Sequence, residues 1–248
     1  MIQEFYYGTS WHWPLEHLPR MMLSYNYIRH VRTPWKINIP FMRDSGAFSI
    51  ILKEGRYIWD AKQYADAIAQ WNPDVAWTMD FPCEPSARAK GGYTPAQAQE
   101  YTNNNTIRLL DIGSPISNVL QGWTIPEYLH NLDMIRDAGI LTERLGIGSV
   151  CRRGKTNDVA RIIRAIHRDL PGWVKLHAFG VKTQVLNTDA RYRLYSADSQ
   201  SWAYCWHGRT RNECTKEKKI IGLHRYIDAI EPLLVSPATT LPVEMEVS

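Results

Sequence analysis

The sequence predicts an α/β protein closed into a single (β/α)8 barrel of the TIM type, and three observations carry that prediction. Eight short apolar runs bounded by turn residues recur along the 248 residues. Amphipathic helical patterns lie between most of them. Carboxylates, an amide and several glycines fall just past the ends of the runs. Alternating strand and helix favours a parallel sheet, and eight such units within one domain's length favour a closed barrel over an open doubly wound sheet.

The candidate strands are residues 5–9, 21–25, 39–43, 75–79, 116–120, 144–147, 174–179 and 194–197. They are rich in apolar and aromatic residues and are bounded by turn residues. Helical periodicity covers 61–71, 95–110, 126–138 and 157–170 and, after the last strand, 217–230. The barrel domain is therefore placed at residues 1–231. A tail from 232 to 248, with Pro237 and Pro242 and no basic residue, reads as a loosely held end.

Composition is that of a globular enzyme, with 44% hydrophobic and 22% charged residues. Ten Trp and thirteen Tyr add flat surfaces for packing or stacking. No run of about 18 apolar residues exists, and the start lacks the basic-then-apolar layout of a secretion signal. The expectation is an intracellular, cytoplasmic protein with no membrane partner. Cys83, Cys151, Cys205 and Cys214 are too few for a disulfide framework in a chain this long, so they read as reduced thiols or metal ligands.

Charge is uneven. Residues 151–225 hold 16 Lys/Arg against 6 Asp/Glu, a net of +10, and the remainder holds 13 against 19, a net of −6. A basic third on an otherwise acidic chain is the footprint of a phosphate-backbone partner. A solvated helix face carrying Arg161, Arg164 and Arg168 accounts for part of it.

Barrel enzymes place their chemistry beyond the C-terminal ends of the strands. The third strand leads into Asp44-Ser45-Gly46-Ala47-Phe48 and the fourth into Asp80. The fifth leads into Gln121-Gly122, the sixth into Gly148-Ser149, the seventh into Gly180 and the eighth into Asp198-Ser199. Singly, each Asp or Ser is equally a helix cap or turn residue. Together they describe a rim with three carboxylates.

Taken as an ordered set, the rim stretches resemble the queuine/archaeosine-type tRNA-guanine transglycosylase superfamily. The matching segments are DSGAF (44–48), DFPC (80–83), VLQGW (119–123), GIGSV (146–150), HAFGV (177–181) and SADS (196–199). The Cys83-Glu84-Pro85 continuation, the run from Gly148 to Arg153 and the segment from Leu176 to Lys182 are similar to the short DNA-directed branch. That branch is the DpdA-like 7-deazaguanine transglycosylases of phages and bacterial modification islands.

The resemblance implies a pentosyltransferase that replaces guanine in DNA with a free 7-deazaguanine base. Asp198 matches the family's nucleophile and Asp44 its general acid/base. Two carboxylates suffice for such an exchange by the logic of a retaining glycosidase. Ser45, Phe48, Asp80, Gln121, Gly122 and Gly148 match the base-binding set, with Phe48 open between stacking on the base and packing into the core. His177 and Phe179 are candidates for the base's other face.

Ser149 stands where enzymes that take an aminomethyl base carry a carboxylate, so the resemblance implies a neutral nitrile base, preQ0. The target base must leave the stack or be presented single-stranded, which makes a DNA-opening partner protein part of the expectation. Backbone contacts are assigned to Arg152, Arg153, Lys155, Arg209 and Arg211. Catalysis of this kind needs no cofactor. A structural zinc would take Cys205, His207, Cys214 and His224, a set that departs from the superfamily's three closely spaced cysteines and later histidine. Three rival readings stand beside this one: the same exchange on tRNA, a metal-dependent hydrolase using Asp44, Asp80 and Asp198 as ligands, and a non-catalytic nucleic-acid-binding barrel.

Overall fold

Each strand is buried on both sides, which is why its sequence reads as an apolar run rather than an alternation. In the computed structural model, which describes residues 2–151, 153–203 and 215–234, these runs form a closed, all-parallel barrel whose eight strands neighbour one another in chain order. The strands are β1 (Glu4–Thr9), β2 (Met21–Ser24), β3 (Phe41–Asp44), β4 (Val75–Trp77), β5 (Ile116–Leu120), β6 (Arg144–Ile147), β7 (Lys175–Ala178) and β8 (Ser196–Ser199). Closure comes from β8 pairing with β1, with Tyr6 opposite Asp198.

Two packed layers follow from the period-two alternation of side chains. Tyr6, Met22, Met42, Val75, Trp77 and Val119 form a separate cluster that fills the barrel's interior, with Phe179 packed against it. The residues between them, among them Phe5, Tyr7, Met21, Leu23, Ala76 and Leu120, join the main core beneath the helices. The alternation also assigns the polar residues at the strand ends. Asp44, two residues after inward Met42, turns into the barrel mouth. Its neighbour Arg43 turns outward and is fully buried between the rings of Tyr25 and Trp71, 5.3 and 5.4 Å from their centroids.

The outer layer comprises α1 (Tyr25–Ile28), α2 (Ala47–Glu54), α3 (Ala61–Trp71), α4 (Pro85–Gly91), α5 (Pro95–Asp111), α6 (Ile125–Asp137), α7 (Thr156–Asp169), α8 (Thr183–Leu186) and α9 (Lys216–Ile230). Three begin at capping boxes: Asp60 with Gln63, Thr94 with Gln97 and Thr124 with Glu127. In α7, Val159, Ile162, Ile163 and Ile166 are buried while Arg161, Arg164 and Arg168 face outward. Arg164 there is spent on Asp189, 2.7 Å away, so this basic helix face is in part a structural ion-paired surface.

The predicted long helices and five of the strands lie where the sequence placed them within one residue, and the other three strands within two. Three differences bear on function. The eighth strand is Ser196–Ser199 rather than 194–197, because small buried polar residues continue the ladder against β1 and put Asp198 inside the sheet. The fourth strand stops at Trp77, so Asp80 arrives on a loop. The helices α1, α2, α4 and α8 were not predicted; α2 starts directly after Gly46, and α4 is a seven-residue helix of small and polar residues opened by Pro85.

Gly46 is the backbone hinge between β3 and α2. It has φ +74°, and a Cβ there would stand 2.5 Å from the Asn26 Cβ and 2.7 Å from the Ser24 hydroxyl. Gly46→Ala is therefore expected to lower the melting temperature by several degrees, at a cost of about 1–3 kcal/mol. A thermal melt indistinguishable from wild type would show that this turn relaxes without loss.

Candidate functional site

Inward-facing polar side chains at the strand ends and the loops beyond them enclose a cavity of about 400 Å³ at the C-terminal mouth of the barrel. Asp44, Ser45, Phe48, Asp80, Glu84, Gly148, Cys151 and Asp198 line it, with Trp77 and Phe179 closing the floor and Tyr27, 49% exposed, at the edge. The size suits a purine-sized ligand. All three predicted carboxylates thus meet in one cavity, together with Ser45, Phe48 and Gly148.

Asp198 is held from one side. Its Oδ1 accepts the Gly180 N–H at 2.9 Å and faces His177 Nε2 at 3.3 Å, while Oδ2 has no hydrogen-bond partner among the described residues. His177 is fully buried, its Nδ1 is 2.9 Å from the Ser196 hydroxyl, and its ring lies 4.9 Å from Trp77 and 4.7 Å from Phe179. Burial pushes the His177 pKa down, with Asp198 opposing that shift. A neutral ring donating from Nε2 to Asp198 and accepting from Ser196 at Nδ1 fits both contacts. His177 therefore sits behind Asp198, and Phe179 rather than His177 faces the cavity.

Asp44 accepts the Gly46 N–H at 2.5 Å. Burial pushes its carboxyl up to about 6; a hydrogen bond from Ser24 works against this and the Asp198 carboxylate works with it. Asp80 accepts from the Ser45 hydroxyl at 3.0 Å through Oδ1 and from Gln121 Nε2 at 2.5 Å through Oδ2. Burial raises Asp80 to about 7, with the Ser45 hydrogen bond opposing and Asp44 and Glu84 adding to the rise. Tyr57 braces this loop, with its hydroxyl donating to the Asp80 carbonyl at 2.7 Å and lying 2.9 Å from Ser45 Oγ.

Gln121 and Gly122 are placed behind the cavity wall rather than in it. The Gln121 amide is fully buried against Asp80, and Gly122 lets the backbone pass close to Tyr128 at the start of α6. Gly148 has the same kind of reason to be glycine, since a Cβ there would overlap the Gln121 amide. Ser149 is buried too, at φ +57°, and its hydroxyl lies 2.6 Å from Glu84 Oε2. Glu84 is the residue that sequence reasoning missed. It is 3% exposed, on the cavity wall, and burial raises its carboxyl above the ordinary range. Its sequence signal was its place in the Cys83-Glu84-Pro85 continuation, which carried the resemblance but no role for the side chain.

The five predicted backbone-binding cations fare differently. Arg153 donates to the carbonyls of Ser149 at 3.0 Å and Trp123 at 2.7 Å and covers the Trp123 ring at 4.2 Å, so it braces the sixth loop. Lys155 is exposed at the start of α7. Arg152, Arg209 and Arg211 lie outside the described residues, as do Cys205, His207 and Cys214 of the predicted zinc set. His224 lies on α9 with Nε2 3.3 Å from His17 Nδ1. Among the described residues no group of three or more His, Cys, Asp or Glu side chains is arranged to hold a metal ion. No helix of the described residues is long and apolar enough to cross a membrane.

A family model, DpdA (DeoxyPurine in DNA protein A), matches residues 1–219, which takes in all eight strands of the barrel. The chain belongs to the DpdA family. No curated protein matches it. Membership of the DpdA family assigns a DNA-modifying transglycosylase role in general terms and makes DNA its partner.

The raised carboxyls give a stability signature. A carboxyl whose folded pKa lies above its unfolded value of about 4 favours folding at acid pH, and that contribution is lost as pH rises through the folded pKa. For Asp80 the loss runs from pH about 4 to about 7 and for Asp44 from about 4 to about 6. Asp80→Asn and Asp44→Asn are each expected to raise the melting temperature by about 2–4 °C near pH 8 and to give no gain near pH 4. Scanning calorimetry at the two pH values checks this; equal effects at both would contradict it.

Proposed function

We propose that this DpdA-family chain is a pentosyltransferase that exchanges guanine in DNA for a free 7-deazaguanine base, with Asp198 as nucleophile and Asp44 as general acid/base. The observation that carries the assignment is the one-sided fixing of Asp198, whose Oδ1 is held by Gly180 and His177 while Oδ2 is left for chemistry in the cavity that Asp44 shares. Asp198 Oδ2 bonds to C1′ as the bond from C1′ to the purine nitrogen breaks, and Asp44 protonates the departing base. The incoming base then gives its ring N–H proton to Asp44, bonds to C1′ and releases Asp198. The steps are redox-neutral, and the strand stays intact while the sugar is bound to the enzyme.

Asp80 supplies the acceptor for the N–H groups of a guanine-type edge, and Phe179, Trp77 and Phe48 supply apolar surface for its faces. Tyr27, exposed at the cavity edge, is placed to stack on DNA beside the extruded nucleotide. Where enzymes for an aminomethyl base carry a carboxylate, this chain has the neutral hydroxyl of Ser149, and burial biases the neighbouring Glu84 towards its neutral form. A nitrile base such as preQ0 is the better fit. The same exchange on tRNA is the second reading, and the DpdA match favours DNA over it.

Labelled preQ0 incubated with single-stranded DNA, duplex DNA and tRNA tests the reading; single-stranded DNA removes any need for an opening partner. Label is expected in DNA, and Asp198→Ala and Asp44→Ala are each expected to cut incorporation by about 10²–10⁴-fold. A covalent DNA adduct should be trapped with wild type and vanish with Asp198→Ala. An adduct that survives Asp198→Ala would remove Asp198 from the role.

The pH profile follows from the two shifted groups. Asp80 must be ionised to accept from the base, which favours pH above about 7, and Asp44 must be protonated to donate, which favours pH below about 6. kcat/KM is therefore expected to be bell-shaped with its maximum between those two values.

A further inference from the structure

Asp80 and Glu84 lie at the two ends of an unbroken hydrogen-bonded chain. Gln121 Nε2 is 2.5 Å from Asp80 Oδ2, Gln121 Oε1 is 2.7 Å from Ser149 Oγ, and Ser149 Oγ is 2.6 Å from Glu84 Oε2. The Cys83 N–H also donates to Ser149 Oγ at 2.7 Å. Gln121, Ser149 and Glu84 are each at most 5% exposed.

Counting hydrogens along this chain gives a result that the separate contacts do not. Ser149 has one hydroxyl hydrogen and two oxygen neighbours within 2.7 Å, Gln121 Oε1 and Glu84 Oε2. With both carboxyls ionised, one of those oxygen pairs has no hydrogen between it, and two acceptors would be forced together in a buried place. Turning the Gln121 amide over does not help, because its carbonyl then faces Asp80 Oδ2. Every arrangement that puts a hydrogen in each contact needs one acidic proton at one end. In the first, Glu84 donates to Ser149, Ser149 to Gln121 Oε1, and Gln121 Nε2 to an ionised Asp80. In the second, Asp80 donates to Gln121 Oε1, Gln121 Nε2 to Ser149, and Ser149 to an ionised Glu84.

We propose that Asp80 and Glu84 share a single proton through Gln121 and Ser149, and that Glu84 is the positioning residue that takes this proton when a base engages Asp80. The inference rests on the assignment of Asp80 to the base edge. A guanine-type edge brings N–H donors to Asp80, which favours the first arrangement. One proton then leaves Asp80 Oδ2, one arrives at Glu84 Oε2, and the Gln121 amide turns over between the two states. Both carboxyls line the cavity, whose solvent carries the proton between them. Asp80 thereby becomes a full anion towards the base without a net change in the charge of the pocket.

The surroundings leave this proton as the means of neutralising the pair. No Lys or Arg side chain reaches either carboxyl within ion-pair distance among the described residues. Around Asp80 stand Asp44, Tyr57 and Tyr93; burial holds both tyrosines in the neutral form. Around Glu84 stand Cys83, Cys151 and Arg153, and Arg153 spends its donors on the Ser149 and Trp123 carbonyls. Burial raises both carboxyls, and at Asp80 the Asp44 and Glu84 carboxylates add to the rise.

The test uses the full-length protein without base or DNA, so it stands apart from the exchange reaction. Carboxyl-carbon NMR of protein labelled at Asp and Glu is followed through the neutral pH range, with Glu84→Gln and Asp80→Asn identifying the two signals. The wild-type pair is expected to titrate in two steps more than about one pH unit apart, a tenfold or greater mutual effect on proton affinity. Glu84→Gln, whose amide donates permanently to Ser149, is expected to move the Asp80 step down by about one unit or more, and Asp80→Asn to move the Glu84 step down likewise. An Asp80 step unmoved by Glu84→Gln, or a Glu84 step unmoved by Asp80→Asn, overturns the proposal, and either variant alone decides it should the other fail to fold.

Discussion

Four carboxyl groups open into one half-enclosed cavity at the mouth of a barrel whose interior is otherwise packed with Tyr6, Met22, Met42, Val75, Trp77 and Val119. Like charges at low dielectric repel, and each ion loses hydration on burial. The hydrogen bonds of the site are arranged around that constraint. Asp198 is supported by a backbone N–H and a neutral His177. Asp44 receives the Gly46 N–H, and Asp80 receives a hydroxyl and an amide. None of these supports is a charged side chain, so the carboxyls are held in place without being neutralised. For Asp44 and Asp80 that leaves proton affinities high enough to be used near neutral pH.

The supports come from neighbouring strands and their loops, which ties the chemistry to barrel closure. Ser24, opposite Asp44 in the register of β2 with β3, contributes to the Asp44 environment. Gly180 and His177 on the seventh unit hold Asp198 on the eighth, and Gln121 on the fifth holds Asp80 on the fourth. Glycine recurs where these side chains need room: Gly148 leaves space for the Gln121 amide and Gly146 for the Phe179 ring. Gly46, by contrast, is required by backbone conformation.

Most of the barrel was legible because a strand buried on both faces leaves an apolar run, and a capped helix leaves Asp60-x-x-Gln63 or Thr124-x-x-Glu127 in the sequence. The short helices left no such trace. Helix α4 follows a cap residue that makes no side-chain cap hydrogen bond and has a single buried side chain, Ala87, so neither periodicity nor a box marks it. The eighth strand was displaced because Asp198 and Ser199 read as polar residues past its end, whereas pairing with β1 carries the strand through both of them. Arg153 read as a surface cation, since nothing in its immediate sequence announces the Trp123 ring and the two carbonyls that occupy it.

By itself the sequence determined the strand and helix order, the closed parallel class and the three aspartates at the strand ends, because these depend on local pattern and on alternation along one chain. Tertiary structure decided which groups touch. Ser149 and Glu84 are 65 residues apart in sequence and 2.6 Å apart in space, and Gln121 lies 41 residues from the Asp80 carboxylate it holds. No periodicity encodes such pairings; they follow from the register of β4 to β6 around the barrel and from a backbone at Gly148 bare enough to admit the amide. The same closure turned Asp80 from one more acid on the rim into one end of a buried hydrogen-bonded chain.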